Sequence, residues 1–365
     1  MSSATISLCM IVKNEEEVLE RCLETVTSFT DEIIIVDTGS TDRTKEIASK
    51  YTTKIFDFEW IDDFSKARNF SFSKATKDYI MWLDADDIVP KESSIHINEL
   101  KKNYLSDHKM DCVMMDYQTV FDAEGNLITT LRRERLVKRK CNFQWIGIVH
   151  ETLNVSGKAY ITDIKIKHMK NKPYSNQYIK IYEKAIKQGH QFSLSDKFQY
   201  AYECFQHKQY EKAMKLYDAL TFEKLDIKNG KIYAYLKLAE CYIKCNELDK
   251  AISSCLHTFA LDPPKAEVCC RLGHIYELKK QFHQAIGWYK IAFNIDIPVD
   301  SAYVKMPCYT WLPHIRLCIC YMVLRNVSEA RKHNEIAAQY IPNSTHVIDN
   351  ERLLQKLDSK LENNN

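Results

Sequence analysis

Tyr79-Ile-Met-Trp-Leu-Asp-Ala-Asp-Asp87 carries an apolar run, Ile80 to Leu83, that ends on three carboxylates, Asp84, Asp86 and Asp87. The spacing predicts a short buried strand with acids at its carboxyl end, where open α/β sheets bind their ligands. Carboxylates crowded this closely repel one another unless a cation joins them. A hard divalent ion with oxygen ligands answers that need, and it can also hold a diphosphate. A single D-x-D tripeptide is weak evidence, so the reading depends on what surrounds it.

A second acidic turn lies upstream. Ile33-Ile-Ile-Val-Asp-Thr-Gly-Ser-Thr-Asp42 repeats the pattern of a β-branched run ending on an acid, Asp37, beside a permissive Gly39. Ser40, Thr41 and Asp42 offer capping oxygens to a periodic segment, Arg43 to Lys50. Earlier still, Ile6 to Asn14 reads as a strand, and Glu15 to Thr27 as a helix with Val18, Leu19, Cys22, Leu23 and Val26 on one face. Lys54 to Phe58 is a further strand before Asp63-Phe-Ser-Lys-Ala-Arg-Asn69 and a helix. Alternating strands and helices predict an α/β unit with a parallel sheet covered on both faces. No G-x-G-x-x-G follows the first strand and no G-x-x-x-x-G-K-[ST] occurs, which excludes the usual dinucleotide and P-loop fingerprints.

Four motifs in order, Ile11-Val-Lys-Asn-Glu15, Val36 to Asp42, Ser65-Lys-Ala-Arg-Asn69 and Leu83-Asp-Ala-Asp-Asp87, resemble those of the family 2 glycosyltransferases. The resemblance covers about the first 150 residues and implies a nucleotide-diphospho-sugar transferase domain of the GT-A fold. It implies a donor pocket that includes Val12 and Asn14, with Asp37 near a uridine, Arg68 on the base or its phosphates, and Asp84 near the ribose. It also implies that Asp86 binds Mn²⁺ or Mg²⁺ beside the diphosphate of a UDP-sugar, with UDP-glucose the donor used by similar enzymes. A plainer role for Arg68 is a surface salt bridge on its helix. The chemistry fits the assignment, because charge grows on the nucleoside diphosphate as the anomeric bond breaks.

Leu131-Arg-Arg-Glu-Arg-Leu-Val-Lys-Arg-Lys140 is strongly basic. Strand alternation sets Arg133 and Arg135 on one face, within reach of a diphosphate, although a solvated strand face is the simpler alternative. In Trp145-Ile-Gly-Ile-Val-His-Glu151 an imidazole and an acid follow an apolar strand. Similar V-H-E segments occur in a subgroup of family 2 enzymes that includes core-oligosaccharide glucosyltransferases and peptide glycosyltransferases. An inverting transfer needs a base for the acceptor proton; Glu151 and His150 are the candidates, unless they only bond each other under a loop. His168 closes a partly exposed strand, Tyr160 to His168, and is either a late metal ligand or a polar strand end.

The second half of the chain is of another kind. Ala239, Tyr242 and Ala251 recur as Gly273, Tyr276 and Ala285, each 34 residues on, the tetratricopeptide (TPR) period. Repeats are expected at Phe198–Leu220, Lys231–Pro264, Lys265–Pro298 and His314–Pro342, with Ala201 and Ala213, then Cys318 and Ala330, at the small positions of the outer two. The interval from Ala213 to Ala251 is 38 and from Ala285 to Ala330 is 45, so insertions interrupt the array. The longer insertion, Val299 to Pro313, reads as an irregular aromatic loop with Tyr303, Tyr309 and Trp311. The expected organisation is therefore a GT-A domain over 1–172, a connecting helix over 173–190, all-α TPR-like repeats over 191–345, and a terminal helix with a frayed tail over 346–365.

Helical arrays present concave surfaces to peptides, which suggests a peptide or protein acceptor held by the repeats. The combination resembles the sublancin-type peptide S-glycosyltransferases, which modify Cys or Ser of bacteriocin precursors. Two other functions fit the residues: a transferase for cell-envelope polysaccharide or lipid-linked acceptors, and a peptide-binding adaptor whose transferase domain has lost activity. A formal net charge of +2 with dispersed basic residues excludes a nucleic-acid partner. No apolar run reaches membrane-spanning length. Thirteen cysteines without a C-x-x-C fit a reduced cytoplasmic protein, with Cys241, Cys245, Cys269 and Cys270 read as core, and a homodimer is compatible with the terminal helix.

Overall fold

The computed structural model describes residues 3–107, 109–121, 127–169, 176–223, 228–298 and 305–362, and the chain divides into two compact units, Met1–Gln199 and Tyr200–Asn365. Strands of the first unit are β1 (Ile6–Val12), β2 (Glu32–Asp37), β3 (Ile55–Asp57), β4 (Tyr79–Trp82), β5 (Asp87–Ile88), β6 (Cys112–Phe121), β7 (Leu127–Lys138), β8 (Trp145–Ile146), β9 (Thr152–Leu153) and β10 (Ala159–His168). Its helices are α1 (Leu19–Val26), α2 (Thr44–Ser49), α3 (Phe64–Ser73), α4 (Lys91–Asn103) and α5 (Gln177–Lys187). The division between units falls within α6 (Leu194–Gln206).

Alternation along the strands builds two cores. Leu8, Met10, Ile35 and Met81 face α1 and α4 through Leu19, Leu23, Ile97 and Leu100. Cys9, Ile34, Val36, Ile80 and Trp82 face the other way and pack with Phe72 of α3. Each such side chain stabilises the unit by about 1.5–3 kcal/mol on leaving water. Both faces are thus covered, as the apolar runs predict.

The expectation of a parallel sheet needs correction. Strand order is β3-β2-β1-β4-β7-β6-β10-β5; β1 to β4 are parallel, whereas β7 is antiparallel to β4 and β6, and β5 to β10. β6 and β7 are long enough to pair directly with each other, so no helical crossover separates them. The imperfect alternation of β10 has a local cause, a register shift between Ile161 and Lys165 that leaves Ile161 exposed and Ile164 and Ile166 buried. The last pair of that strand sets His168 opposite Asp87.

The second unit adds α7 (Tyr210–Phe222), α8 (Lys228–Lys244), α9 (Leu248–His257), α10 (Ala266–Leu278), α11 (Phe282–Phe293), α12 (Met306–Tyr309), α13 (Trp311–Val323), α14 (Val327–Tyr340) and α15 (Thr345–Glu362). α6/α7, α8/α9, α10/α11 and α13/α14 form four hairpins. In every hairpin the two small residues stand twelve apart, and the residue seven after the first is left-handed: Lys208, Asn246, Lys280 and Arg325, with φ between 58° and 62°. The same backbone bond closes each turn: Gln209 N to Cys204 O, Glu247 N to Tyr242 O, Gln281 N to Tyr276 O and Asn326 N to Tyr321 O, at 2.8–3.0 Å. This is the helix-ending motif that glycine usually serves, here carried by residues with side chains.

The insertion before Pro313 is a further correction. Residues 299–304, with Tyr303, lie outside the described residues, but α12 and the start of α13 follow at once. Tyr309 is buried and its hydroxyl donates to Glu267 at 2.8 Å, so it packs within the array. Residues 173–175 of the expected connecting helix and 363–365 of the tail also lie outside, while Leu361 and Glu362 still belong to α15. None of the thirteen cysteines forms a disulfide among the described residues; Cys241, Cys269 and Cys270 are buried as expected and Cys245 only half so. No helix among the described residues is long and apolar enough to cross a membrane.

Gly273 shows why the small positions are small. A Cβ added there would lie 2.7 Å from the ring of Tyr289, which is only 1% exposed, whereas one added at Gly287 would meet nothing within 4 Å. Glycine in a helix costs about 1 kcal/mol against alanine. Gly287→Ala should therefore raise stability by about 0.5–1 kcal/mol, while Gly273→Ala should lower it by about 1–2 kcal/mol as overpacking outweighs that gain. Urea unfolding of the two variants checks both signs, and a stabilised Gly273→Ala would contradict the contact.

Candidate active site

The carboxyl ends of β1, β2 and β4 open into a cleft of about 810 Å³, walled by Ile11 to Glu15, Thr38, Trp82 and Asp84 to Asp86. Its far side comes from Trp145, His150, Glu151, His168 and two α5 residues, Gln177 and Tyr178. All belong to the first unit.

Arg68 is the central cation. Asp63 caps α3 by accepting from Lys66 N at 3.0 Å, which starts the helix early enough to bring Arg68 under the sheet ends. Its Nη2 donates to Asp84 Oδ1 at 2.7 Å and its Nε to Glu151 Oε1 in close contact. The guanidinium lies 5.1 Å from the Trp82 ring centre and 4.8 Å from that of Trp145. Those rings cross edge to face at 4.8 Å, and Asn69 locks the second strand segment by exchanging bonds with the Trp145 backbone at 2.8 and 3.0 Å. Burial alone would raise the Asp84 pKa; Arg68, aided by Arg135, overrides it and holds the carboxyl well below the usual range. The surface salt bridge considered from sequence is thus a buried, two-sided one.

Asp87 is the hub beneath the acidic cluster. Fully buried, it accepts from Arg135 Nη1 (3.0 Å), Tyr117 Oη (3.0 Å) and Asp84 N (3.0 Å), and its Oδ1 lies 3.1 Å from His168 Nδ1. Arg135 exists as an extra residue in β7, where Leu136 pairs with Val113 and Glu134 with Met114. It inserts between the Trp82 and Tyr117 rings at 3.7 and 3.9 Å. Its Nε and Nη2 have no hydrogen-bond partner among the described residues, and the two ring faces offset that cost. Arg135 therefore lines the cleft but its charge is already committed to Asp87. Arg133 is more open, 28% exposed, with its guanidinium 5.2 Å from the Trp82 ring.

Asp86 and His168 meet at the cleft edge, Oδ1 to Nδ1 3.3 Å, both about one-fifth exposed. Burial would depress the His168 pKa, but Asp86 and Asp87 raise it to about 10. Two carboxylates thus converge on one ring nitrogen and demand a positive charge there. Donor atoms of Asp84, Asp87 and His168 also lie within 4.8 Å of one another. Carboxylates with one imidazole suit a divalent ion such as Mn²⁺, so the residues present fit a metal.

The remaining sequence candidates divide. Val12 lines the cleft, and its carbonyl accepts Thr38 N at 2.9 Å. Asn14 also lines it, in a left-handed conformation (φ 53°), with its side chain fastening the β2–α2 turn through Thr41 N at 2.8 Å. Asp37 is buried at the end of β2, outside the lining; Oδ1 accepts Gly39 N and Ser40 N at 3.0 and 2.9 Å, and Oδ2 has no partner among the described residues. His150 is left-handed too (φ 53°) and sits edge-on to Tyr178 at 5.1 Å. Strain at non-glycine residues tends to be stored at functional sites.

Sequence reading missed the aromatic wall of Trp60, Phe64 and Tyr178. Their rings touch in series at 4.7 and 5.8 Å, and Asp62 ties the wall to α5 through Lys184. The Tyr182 hydroxyl adds a bond to Val149 O at 3.3 Å. α5, expected to be a connector, is thus part of the cleft. Only the aromatic spacing in Trp60-x-x-x-Phe64 hinted at it.

Comparison with known proteins agrees with this architecture. Residues 7–152 match the family model described as Glycosyl transferase family 2. A TPR repeat-containing protein of Synechococcus elongatus is 51% identical over 84 residues, 23% of this chain and 21% of that one. The SPbeta prophage-derived glycosyltransferase SunS of Bacillus subtilis is 32% identical over 178 residues, 47% of this chain and 41% of its own. An uncharacterized glycosyltransferase of Rickettsia typhi is 27% identical over 214 residues, 52% of this chain and 70% of its own. The chain spans about a fifth and two fifths of the first two relatives. The stretch that matches the family 2 glycosyltransferase model holds every cleft residue named above except His168, Gln177 and Tyr178. The chain joins this mixed-sheet, GT-A-like unit to a TPR-like helical unit.

Proposed function

We propose that this protein is an inverting, metal-dependent glycosyltransferase that moves a hexose from a UDP-sugar, UDP-glucose first among candidates, onto a Cys or Ser of a peptide such as a bacteriocin precursor. One observation carries the reading: a cation-seeking cluster, Asp86 and His168, shares a single cleft with an acid and an imidazole, Glu151 and His150. The peptide acceptor rests on the helical unit and on the resemblance to sublancin-type enzymes.

In the reaction, the acceptor thiol or hydroxyl attacks the anomeric carbon as its bond to the β-phosphate oxygen breaks. The carbon inverts, the proton passes to Glu151 or His150, and UDP leaves. A Mn²⁺ or Mg²⁺ ion held by Asp86 and His168 would neutralise charge growing on the diphosphate. Arg133, 28% exposed at the cleft wall, is a basic side chain available to the phosphates. Arg68 fixes the Glu151 carboxylate in place, and the Trp82 and Trp145 faces keep water from that pair. A thiol acceptor is partly ionised near neutral pH, so its base need only be modest.

The test is a UDP-sugar panel with Mn²⁺ or Mg²⁺, offered with and without a small Cys- and Ser-containing peptide and read by intact mass. A hexose increment on the peptide is expected. Donor hydrolysis without peptide modification would move the acceptor to a glycan or lipid, and no turnover of any donor would overturn the enzyme reading. In the same assay Glu151→Gln should cut transfer about 10²–10⁴-fold, the range for losing a general base, with UDP binding retained. Lost UDP affinity instead would assign Glu151 to the donor site.

A further inference from the structure

Cys270 of α10 and Cys308 of α12 meet at the wall of a concavity of about 320 Å³ that lies wholly within the repeat unit. Cys270 Sγ lies 3.7 Å from Cys308 O and within hydrogen-bond reach of the Cys308 thiol. Both residues are buried, at 6% and 3% exposure, so the concavity is their route to solvent. Cys255 and Cys318 differ: each is wholly enclosed in helix packing and outside that lining. Cys308 sits on a helix of only four residues, so its sulfur can turn toward Cys270 without displacing a long element.

The two sulfurs are not equivalent. The hydrogen bond with Cys270 lowers the Cys308 pKa against burial and Glu267, and Lys305 and Arg271 lower it further. That same bond, together with burial, pushes the Cys270 thiol up. The thiolate is the nucleophilic form, and reactive cysteines sit in electropositive recesses that solvent can enter. Cys308 therefore has the surroundings of an attacking sulfur, and Cys270 those of a resolving thiol beside it.

We propose that Cys270 and Cys308 form a thiol modification site, at which hydrogen peroxide closes a disulfide between α10 and α12. The Cys308 thiolate attacks one peroxide oxygen and the O–O bond breaks. Hydroxide leaves and takes up the proton that Cys308 released, giving a sulfenic acid and water. Cys270 Sγ then attacks the sulfenic sulfur, the S–O bond breaks, and the hydroxyl leaves with the Cys270 proton as a second water. Two electrons pass from the sulfurs to the peroxide. The site stands in the other unit and uses neither sugar nor metal, so it is independent of the transferase reading.

The full chain, reduced and freed of reductant, is treated with a small molar excess of hydrogen peroxide and read by intact mass and a non-reducing digest. A loss of two hydrogens is expected, with the Cys270 and Cys308 peptides joined, and dithiothreitol should restore the starting mass. Iodoacetamide at neutral pH should label Cys308 of the native, reduced protein at least about tenfold faster than Cys255 or Cys318. In Cys270→Ala the reaction should stop at a sulfenic acid on Cys308, trapped by dimedone as a single adduct. Mapping and labelling use the unaltered chain, so they decide the matter even where that variant does not fold. An unchanged mass, a crosslink between other cysteines, oxygen added at Cys308 without a crosslink, or equal labelling of the three cysteines would each overturn the site.

Discussion

Asp86→Ala is expected to lower sugar transfer about 10³-fold, or about 4 kcal/mol of transition-state stabilisation, while leaving the fold intact. The size follows from where the charge develops. Breaking the anomeric bond leaves a second negative charge on the β-phosphate, and a divalent ion at the Asp86–His168 edge would be the compensating group. Structural cost should be small because, among the described residues, the Asp86 side chain bonds only to His168, which keeps Asp87 as a second acceptor. UDP binding measured with and without Mn²⁺ separates the causes. The wild type should show metal-dependent affinity and the variant should not. Wild-type turnover in Asp86→Ala would refute the metal assignment outright.

Arg68→Met should have the largest effect on stability. The substitution keeps the apolar stem against Trp82 and Trp145 but strips Asp84 and Glu151 of their shared counter-ion. Removing one partner of a buried pair costs about 3–5 kcal/mol. Asp84 is about one-third exposed, which lowers the expectation to about 3 kcal/mol, or roughly 6–12 °C in Tm for a unit of this size. The loss should depend on pH in a set direction. In the wild type the Asp84 pKa is depressed, so its stabilising contribution is present above the unfolded carboxyl pKa and lost as pH falls through the lower folded value. In the variant burial raises that pKa with only Arg135 and His168 opposing it, so the deficit should narrow as pH falls from 5 towards 3. Thermal unfolding at the two pH values decides it, and a pH-independent deficit would show that lost packing, not charge, is responsible. Transfer should fall at least 100-fold as Glu151 loses its anchor.

Much of the first unit was legible because its signals are local. The β-branched run before Asp37 and the apolar run before Asp84 each state a strand and its end within ten residues. What escaped depended on pairing between distant segments. The burial of Arg135 follows from a bulge against β6, and the meeting of His168 with Asp87 follows from a two-residue strand at the sheet edge. Neither is visible in the neighbourhood of the residue concerned. Expecting a parallel sheet extended the pattern of β1 to β4 too far, since a basic strand like β7 gives no sign of its direction. The contribution of α5 to the cleft escaped for the same reason, because a helix after the last strand reads as a connector.

The uniform hairpin closures of the second unit bear on how such a chain can be edited. From one small residue through the left-handed turn to the next, the register is the same in all four, and every irregular interval falls at a joint between hairpins. Each joint is then an independent spacer, where added length re-aims the next hairpin without reopening the previous one. An engineer could transplant or delete one whole hairpin, cutting at the joints, and expect its neighbours to keep their own closures. A cut inside the twelve-residue span would find no such tolerance.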